Sequence, residues 1–268
     1  MFRLLLLAVL LPVFGCAARP TRVAADLPPD VARLNLLTYN VNYALAGDEP
    51  TLGAVAQADA DVVCLQETTP EWESILRANL ARQFPHMEFK HSPGAGGLGV
   101  LSKLPIESVQ YLPPVSWFPA ARVVLMTPLG RVQVLNVHLR PPIGNSGGVV
   151  SGYFSTPPLR RSEIACFADS LDPSLPALVV GDFNEEEGGR ALGWLRRRGI
   201  RSALPEFSPR AKTWRWRTSV YSLHRRYDHL CYDSRLKPVR VEVRPAGRSD
   251  HMPVFGTFTL ADGVAPSD

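Results

Sequence analysis

The sequence lacks the signatures of several common protein classes. Only three cysteines lie beyond the N-terminal region, and no pair of them has the C-x-x-C spacing of a structural zinc site. These three, Cys64, Cys166 and Cys231, have apolar neighbours, so we expect buried free thiols rather than disulfides. The letters G-x-S-x-G occur at residues 144–148, but inside a Pro/Gly/Ser-rich segment rather than at the strand-to-helix turn that exposes a nucleophilic serine. These absences argue against structural zinc and against hydrolase chemistry through an acyl-serine.

The sequence also lacks a dinucleotide-binding motif in the structural context that such a motif needs. The glycines from Gly94 to Gly99 match G-x-G-x-x-G in letters, but they follow "HSPG" rather than a strand and lead into "VLSKLP" rather than a helix. A dinucleotide site needs that strand and that helix. The chain also has no internal repeat, and its most apolar run is too short for a comfortable membrane span.

That apolar run is the signal-like segment at the N-terminus. Arg3 is followed by "LLLLAVLLPVF" and then by "GCAARP", which predicts an export signal over residues 1–15. Gly15 before Cys16 resembles the lipobox of bacterial lipoproteins, in which the cysteine becomes the new N-terminus and is acylated. We therefore expect an exported, membrane-anchored bacterial lipoprotein on the periplasmic or cell-surface side. An ordinary cleaved signal and a short uncleaved anchor are the alternatives.

The rest of the chain is predicted to form one α/β domain. With 268 residues and 46% hydrophobic content, it can bury a sizeable core. Residues 16–30 are rich in Pro and Ala and suit a linker, residues 31–262 form the domain, and residues 263–268 form a C-terminal tail. Hairpins alternate with βα units, so we expect mixed sheets with helices outside. The Pro/Gly/Ser-rich segment 141–158 is predicted to be a long functional loop.

Polar residues of one chemical kind stand where the predicted strands end or turn. They are Asn40, Glu67, His138, Asp182, Asn184, Asp228, His229, Asp250 and His251. Each one alone has an ordinary structural explanation as a turn residue, a helix cap or a surface pair. Their order along the chain, in the motifs "YN", "QET", "NVHL", "GDFN", "YDH" and "SDH", is harder to explain in that way.

This order resembles that of the endonuclease/exonuclease/phosphatase superfamily, which includes pancreatic deoxyribonuclease and neutral sphingomyelinases. The resemblance extends from about Val31 to Leu260 and is most specific in "GDFN" with the downstream "SDH". It implies a four-layer α/β sandwich of two packed mixed β-sheets flanked by helices. It also implies hydrolysis of a phosphate ester with Mg²⁺ or Mn²⁺ at one end of the sandwich.

The residue types suit a metal-assisted reaction. A phosphodiester repels nucleophiles, so the site needs a hard cation, for which carboxylates and water are the preferred ligands. We expect Glu67 to be the metal ligand, with Asn40 beside it and Asp250 as a further ligand.

The remaining motif residues are assigned to proton transfer and charge stabilisation. Asp182 would orient and deprotonate the attacking water, and Asn184 would donate to a phosphoryl oxygen from the same strand face if the strand continues. His138 and His251 would donate to the phosphate, and Asp228 would hold His251 in the required tautomer.

The distribution of charge is the best indication of the substrate. Residues 190–248 contain 16 Lys or Arg and 4 Asp or Glu, a net charge of +12, whereas the remainder contains 13 basic and 21 acidic residues. Within this region Trp214, Arg215, Arg217 and Arg226 combine phosphate-binding cations with an aromatic stacking face, which favours nucleic acid. A solvated face or a contact with anionic phospholipid is the alternative.

The sequence therefore predicts a monomeric, metal-dependent phosphodiesterase that acts as a nuclease. Two alternatives stay open at this point. One is a sphingomyelinase-like or phosphoinositide phosphohydrolase, and the other is a non-catalytic polyanion-binding lipoprotein.

Overall fold

A computed structural model of the chain describes residues 20–144, 147–217 and 221–267. The predicted signal segment 1–15 and the predicted acylation site Cys16 lie outside these ranges, as do Asp268 and the side chain of Arg217. Among the described residues, no helix combines the length and the hydrophobicity that a membrane span requires.

The described residues form fourteen strands and six α-helices. The strands are, in chain order, β1 (Leu34–Asn40), β2 (Val62–Gln66), β3 (His86–Lys90), β4 (Leu98–Ser102), β5 (Ile106–Leu112), β6 (Ala120–Thr127), β7 (Gly130–His138), β8 (Ala177–Asp182), β9 (Arg201–Ser202), β10 (Trp214–Arg217), β11 (Ser222–Arg225), β12 (Asp228–Tyr232), β13 (Leu236–Val243) and β14 (Val254–Leu260). The helices are α1 (Glu49–Ala56), α2 (Pro70–Leu80), α3 (Val149–Ser155), α4 (Pro157–Ala168), α5 (Arg190–Arg196) and α6 (Leu204–Phe207).

Twelve of these strands form two six-stranded sheets, and the other two form a separate hairpin. The spatial order is β13-β14-β1-β2-β4-β3 in the first sheet and β5-β6-β7-β8-β12-β9 in the second, with β10 and β11 paired only to each other. Both sheets are mixed, because β1 and β2 run parallel and β7 and β8 run parallel, whereas the other neighbours are antiparallel.

Alternation along the strands divides the side chains among three cores. On β1, Leu36 faces the core between the two sheets, whereas the next residue, Leu37, faces the helices α1 and α2. On β8, Leu178 faces the core between the sheets, whereas Val179 packs with residues of α4 and α5. The period of two places successive side chains on opposite faces of a sheet. The layers are therefore helix, sheet, sheet and helix, which confirms the predicted four-layer sandwich.

The helices begin and pack as their sequences indicate. In α2 the side chain of Thr69 accepts a hydrogen bond from the backbone N–H of Trp72, and Pro70 occupies the first turn, where its missing N–H has no cost. Its buried residues Trp72, Leu76 and Leu80 are four residues apart and form one face against the first sheet.

The observed local structure differs from two expectations and adds one element that was not predicted. Part of the predicted loop 141–158 is the helix α3. Its residues Val150, Tyr153 and Phe154 are exposed rather than packed against a core. The Arg- and Trp-rich segment forms the hairpin of β10 and β11. Cys64 and Cys231 are buried free thiols as expected, but Cys166 is exposed, because its position on α4 faces solvent.

Candidate active site

Three of the predicted residues lie side by side at one end of the second sheet. Asp182 ends β8, and in the strand register it is opposite His138 of β7 on one side and Asp228 of β12 on the other. Adjacent strands are about 4.8 Å apart, so register alone brings these three side chains together. The "GDFN" and "YDH" motifs thus meet although 46 residues separate the two aspartates in the chain.

Gly181 allows this close packing of β7 and β8. It has a φ of +130°, and a Cβ atom built there would lie 2.0 Å from the carbonyl oxygen of Val137. No other residue type fits this backbone conformation and this space. The glycine of "GDFN" therefore sets the position of Asp182.

The first sheet contributes Asn40 and Glu67 to the same place. Asn40 ends β1, and its Nδ2 donates to Oε1 of Glu67 at 3.0 Å and to Oδ2 of Asp182 at 3.2 Å. Its amide therefore links the two sheets at the site. Glu67 has a φ of 62°, a conformation unusual for a glutamate, and its Oε2 accepts a hydrogen bond from the N–H of Tyr43 at 3.2 Å.

Asp182 is the centre of the arrangement. Its Oδ1 accepts the N–H of Asn184 at 2.8 Å, and its Oδ2 lies 3.4 Å from Nε2 of His138 and 3.5 Å from Nε2 of His251. Burial raises the pKa of the Asp182 carboxyl, and the charge of His251 offsets part of that rise. The carboxylate thus faces two imidazoles and an amide in a space with almost no exposure to bulk solvent.

His251 is held by a carboxylate that is itself completely buried. Its Nδ1 donates to Asp228, with distances of 3.0 Å to Oδ1 and 2.9 Å to Oδ2. Burial alone would lower the pKa of His251, but the carboxylates of Asp228 and Asp182 outweigh it and raise the pKa to about 10. The imidazole is therefore protonated at neutral pH and presents its Nε2–H to the site.

His138 is fixed by different contacts. Its ring stacks on Phe118 with centroids 4.3 Å apart, and its Nδ1 donates to the carbonyl of Ala95 at 3.1 Å. Burial lowers the pKa of His138, and Asp182 partly counters this. A carbonyl can only accept a hydrogen bond, so the neutral ring of His138 carries its proton on Nδ1. Its Nε2 can therefore donate only when both ring nitrogens are protonated.

The donor atoms present fit a hard divalent cation. Within the described ranges, one group of three acidic or imidazole side chains is close enough to share an ion, and its ligand atoms, from Asp182, Asp228 and His251, lie within 4.8 Å of one another. Both oxygens of Asp228 already face His251. Glu67 supplies a further carboxylate near Asp182, because the amide of Asn40 donates to both. The side chain of Glu67 is partly exposed to solvent. Carboxylate oxygens of this kind are the ligands that Mg²⁺ and Mn²⁺ prefer.

Asp250 also lies at this end, but in other contacts. Its Oδ1 accepts from Nδ2 of Asn42 at 3.1 Å, and its Oδ2 accepts from Nε1 of Trp214 at 2.9 Å. It stands outside the group of three described above. Its carboxylate therefore ties the β10–β11 hairpin to the loop after β1.

Asn184 reaches the site by a different geometry from the one expected. Strand β8 ends at Asp182, and Asn184 has a φ of 52°, so the two side chains do not share a strand face. Its backbone N–H binds Asp182, and its Nδ2 donates to the carbonyl of Leu139 at 3.0 Å. The left-handed conformation, which asparagine tolerates well, turns the chain away from the sheet.

The basic and aromatic residues of the predicted binding segment are divided between surface and interior. Trp214 pairs with His251 in an isolated bridge, and the N–H of Arg215 donates to the carbonyl of Asp250 at 2.9 Å.

Arg226 is in the interior instead, where its guanidinium binds Glu187 and the carbonyls of Ser208, Pro209 and Ala211. Its guanidinium is therefore occupied by protein groups. The side chain of Arg217 is outside the description.

Sequence reasoning missed three residues that shape the site. Phe118 covers His138, Asn42 binds Asp250, and the hydroxyl of Ser249 donates to the carbonyl of Asn40 at 2.7 Å. Asn42 and Ser249 lie within two residues of motif positions, which is a signal that could have found them. Phe118 has no such signal, because it comes from the loop between β5 and β6.

Comparison with known proteins supports this arrangement. The profile described as "Endonuclease/Exonuclease/phosphatase family" matches residues 37–251. A search of curated protein sequences found no significant match.

Several solved structures have a similar fold. An endonuclease/exonuclease/phosphatase from Beutenbergia cavernae has a TM-score of 0.68 and 20% identity, covering 86% of this chain and 72% of that one. TDP2 of D. rerio complexed with single strand DNA product has a TM-score of 0.67 and 14% identity, covering 85% and 99%. A protein of the same family from Leptotrichia buccalis has a TM-score of 0.66 and 15% identity, covering 85% and 99%. At these identities the likeness concerns the fold.

Proposed function

Because the chain belongs to the endonuclease/exonuclease/phosphatase family, we propose that it is a divalent-metal-dependent phosphodiesterase whose substrate is nucleic acid. Hydrolase activity on phosphate esters follows from the family and from the buried site of Asp182, Asp228 and His251. The choice of nucleic acid depends on the surface beside that site.

The buried residues divide the reaction among themselves. Asp182 accepts the proton of the attacking water, since Asn40 and the N–H of Asn184 hold its carboxylate in place. His251 donates from Nε2 to the phosphoryl group and stabilises the charge that develops there, while Asp228 holds its other nitrogen. No covalent intermediate is needed.

A divalent cation completes this chemistry. When bound, it neutralises phosphoryl charge as a Lewis acid. We assign Glu67 as its ligand, with Asn40 orienting the carboxylate and Asp182 beside it. Asp250 is the further carboxylate at this end of the molecule, and its two oxygens accept hydrogen bonds from Asn42 and Trp214.

One observation carries the choice of substrate. The β10–β11 hairpin, which contains Trp214 and Arg215, is hydrogen-bonded directly to Asp250, next to His251. A phosphate at the site would therefore have the indole ring of Trp214 near it, and the same hairpin carries Arg215. Aromatic rings and guanidinium groups both bind nucleic acid strands. The similar TDP2 structure was determined with single strand DNA product.

The test is hydrolysis by the purified protein. Plasmid DNA, single-stranded DNA, RNA, sphingomyelin vesicles and a soluble phosphoinositide would each be incubated at low salt with Mg²⁺, Mn²⁺ or EDTA. We expect cleavage of nucleic acid with metal and none with EDTA. Turnover of a lipid with no cleavage of nucleic acid would refute the proposal.

A second candidate is supported by a different observation. Three aromatic side chains are between 40% and 49% exposed. They are Tyr43, whose N–H binds Glu67, Trp117, which stacks on Phe118, and Trp216 of the β10–β11 hairpin. Exposed aromatic rings also insert at the headgroup level of a bilayer. A sphingomyelinase-like or phosphoinositide phosphohydrolase would use the same chemistry, and the lipid substrates in the experiment above distinguish it.

We also propose that Cys16 is acylated and holds the protein to a membrane after export. The support is the sequence "VFGC" after the apolar run. Mass spectrometry of the native N-terminus would show an acylated Cys16 in the wild type and none in Cys16→Ser. A free, unmodified N-terminal residue in the wild type would refute acylation.

A further inference from the structure

A cavity lies next to the proposed catalytic carboxylate, lined by residues of α3, by Asn184 and by Arg225 of β11. Its volume is about 550 Å³, within the roughly 300–1,000 Å³ of small-ligand sites. Asn184 lines it, and the N–H of the same residue donates to Asp182. A ligand in the cavity would therefore contact the residue whose backbone N–H binds Asp182.

One wall of the cavity is aromatic. Tyr153 and Phe154 of α3 form part of it, together with Tyr227. Tyr153 is 60% exposed and Phe154 is 76% exposed, and their rings meet edge to face at 5.3 Å. Large rings left open to solvent beside a cavity provide stacking surfaces for a flat ligand.

Two further arginines that line the cavity, Arg190 and Arg225, form no ion pair within the described residues. The side chain of Arg190 is exposed and makes no hydrogen bond within the same ranges. Arg225 donates to the carbonyl of His224, and its charge helps to lower the pKa of Glu186. The carboxylates that line the cavity are already paired, because Glu185 binds Arg160 and Glu186 binds Lys212. The free charge that lines the cavity is therefore cationic and suits a phosphate.

We propose that this cavity binds the nucleotide next to the scissile bond, with its base against Phe154 and Tyr153 and its flanking phosphate at Arg190. The inference rests on the proposed function and adds a substrate class to it. A base inside a duplex is stacked and paired, so it cannot enter a cavity of this shape, whereas an unpaired base can. The enzyme consequently prefers single-stranded nucleic acid.

The test compares reporters with and without a nucleobase. The substrates are thymidine 5′-(p-nitrophenyl phosphate), thymidine 3′-(p-nitrophenyl phosphate) and methyl p-nitrophenyl phosphate, which has the same scissile ester and no base. The variants of the full-length protein are Phe154→Ala and Arg190→Ala. Tyr111→Ala is the control, because Tyr111 is also an exposed aromatic but lies on the edge strand β5, bonded to Glu88.

We expect wild-type kcat/KM to be about tenfold higher for one thymidine reporter than for the methyl reporter, as stacking of one base allows. Phe154→Ala should remove most of this advantage and leave the methyl reporter unchanged. Arg190→Ala should raise KM for a single-stranded oligonucleotide several-fold, and Tyr111→Ala should change neither. Wild-type protein should also cleave single-stranded DNA faster than the matching duplex.

Three results would overturn the proposal. One is a thymidine advantage that survives Phe154→Ala, and another is an equal loss on all reporters. The third is binding of wild-type protein to phosphatidylglycerol vesicles that Phe154→Ala abolishes, without any nucleoside preference, since α3 would then be a lipid contact. Failure of the proposed function is distinct, because it appears as wild-type protein that cleaves no nucleic acid with any metal.

Discussion

The two ends of the strand pair β8 and β12 use the same residue type for different purposes. At one end Asp182 accepts the N–H of Asn184, and at the other Asp233 accepts the N–H of Ala177 and of Arg235. Burial raises the pKa of both carboxyls. The difference is in what faces them. Asp233 has a basic side chain, that of Arg235, at 3.7 Å, whereas Asp182 has two imidazoles and an amide.

This contrast separates the carboxylate proposed to be catalytic from a structural one in the same sheet. Position at a strand end, burial and a backbone hydrogen bond are common to both ends. Only the first end collects side chains from both sheets, because Asn40 and His251 belong to the first sheet and its loops. A substitution at Asp182 should therefore change chemistry, and the same substitution at Asp233 should not.

The largest effect is expected from Asp182→Asn. An amide cannot take up the proton of water, so kcat should fall by about a hundredfold or more. Asp233→Asn, the matched control, should keep kcat within about twofold. The measurement is steady-state hydrolysis of a small phosphodiester, with circular dichroism to verify folding. Similar kcat in both variants would remove Asp182 from the reaction.

A second comparison uses two buried histidines. His251→Gln should lower kcat by roughly a hundredfold, because its Nε2 serves the reaction. It should also lower stability, because the completely buried Asp228 loses the cation that faces it. His229 is completely buried and binds Ser202 and the carbonyl of Glu185 instead. His229→Gln should cost about 1–3 kcal/mol of unfolding free energy and leave kcat of the folded protein unchanged. Urea denaturation and steady-state kinetics on the same samples measure both quantities. A loss of kcat in His229→Gln but not in His251→Gln would contradict this assignment.

The third effect concerns metal dependence. Glu67→Gln should raise the Mg²⁺ or Mn²⁺ concentration needed for half-maximal activity by about tenfold, because a neutral amide is a poorer ligand for a hard cation. Glu73→Gln is the control, since Glu73 lies on α2 and binds Arg77 and His91. A metal titration that is identical for Glu67→Gln and wild type would exclude Glu67 as a ligand.

The smallest effect is expected at the surface. Arg215→Ala should weaken binding to single-stranded DNA modestly and flatten the slope of log affinity against log salt by roughly 0.7, the value for one phosphate contact. Arg240→Ala should not, because Arg240 pairs with Glu242 on β13. Fluorescence anisotropy at several salt concentrations measures both. An unchanged slope for Arg215→Ala would show that the bound DNA does not contact this side chain.

The sequence predicted the buried end of the molecule better than its surface. Asp182, Asp228 and His251 were identifiable because each stands in a short motif at one end of an apolar run, and strand register then brings the two aspartates together. Helix α3 was missed, and its residues Val150, Tyr153 and Phe154 are exposed rather than part of a buried face. Arg226 was assigned to substrate binding as part of the Arg- and Trp-rich segment, but the acceptors that hold its guanidinium come from residues 187 and 208–211. Such long-range partners leave no local pattern.

Gly181 has a consequence for how this protein tolerates mutation. It carries no functional group and touches no substrate, yet any side chain there would meet the carbonyl of Val137 in a backbone conformation that other residues resist. In a library of all single substitutions selected for activity, position 181 should therefore be as depleted as position 182. A mutational scan read alone would count Gly181 among the catalytic residues, although its contribution is space.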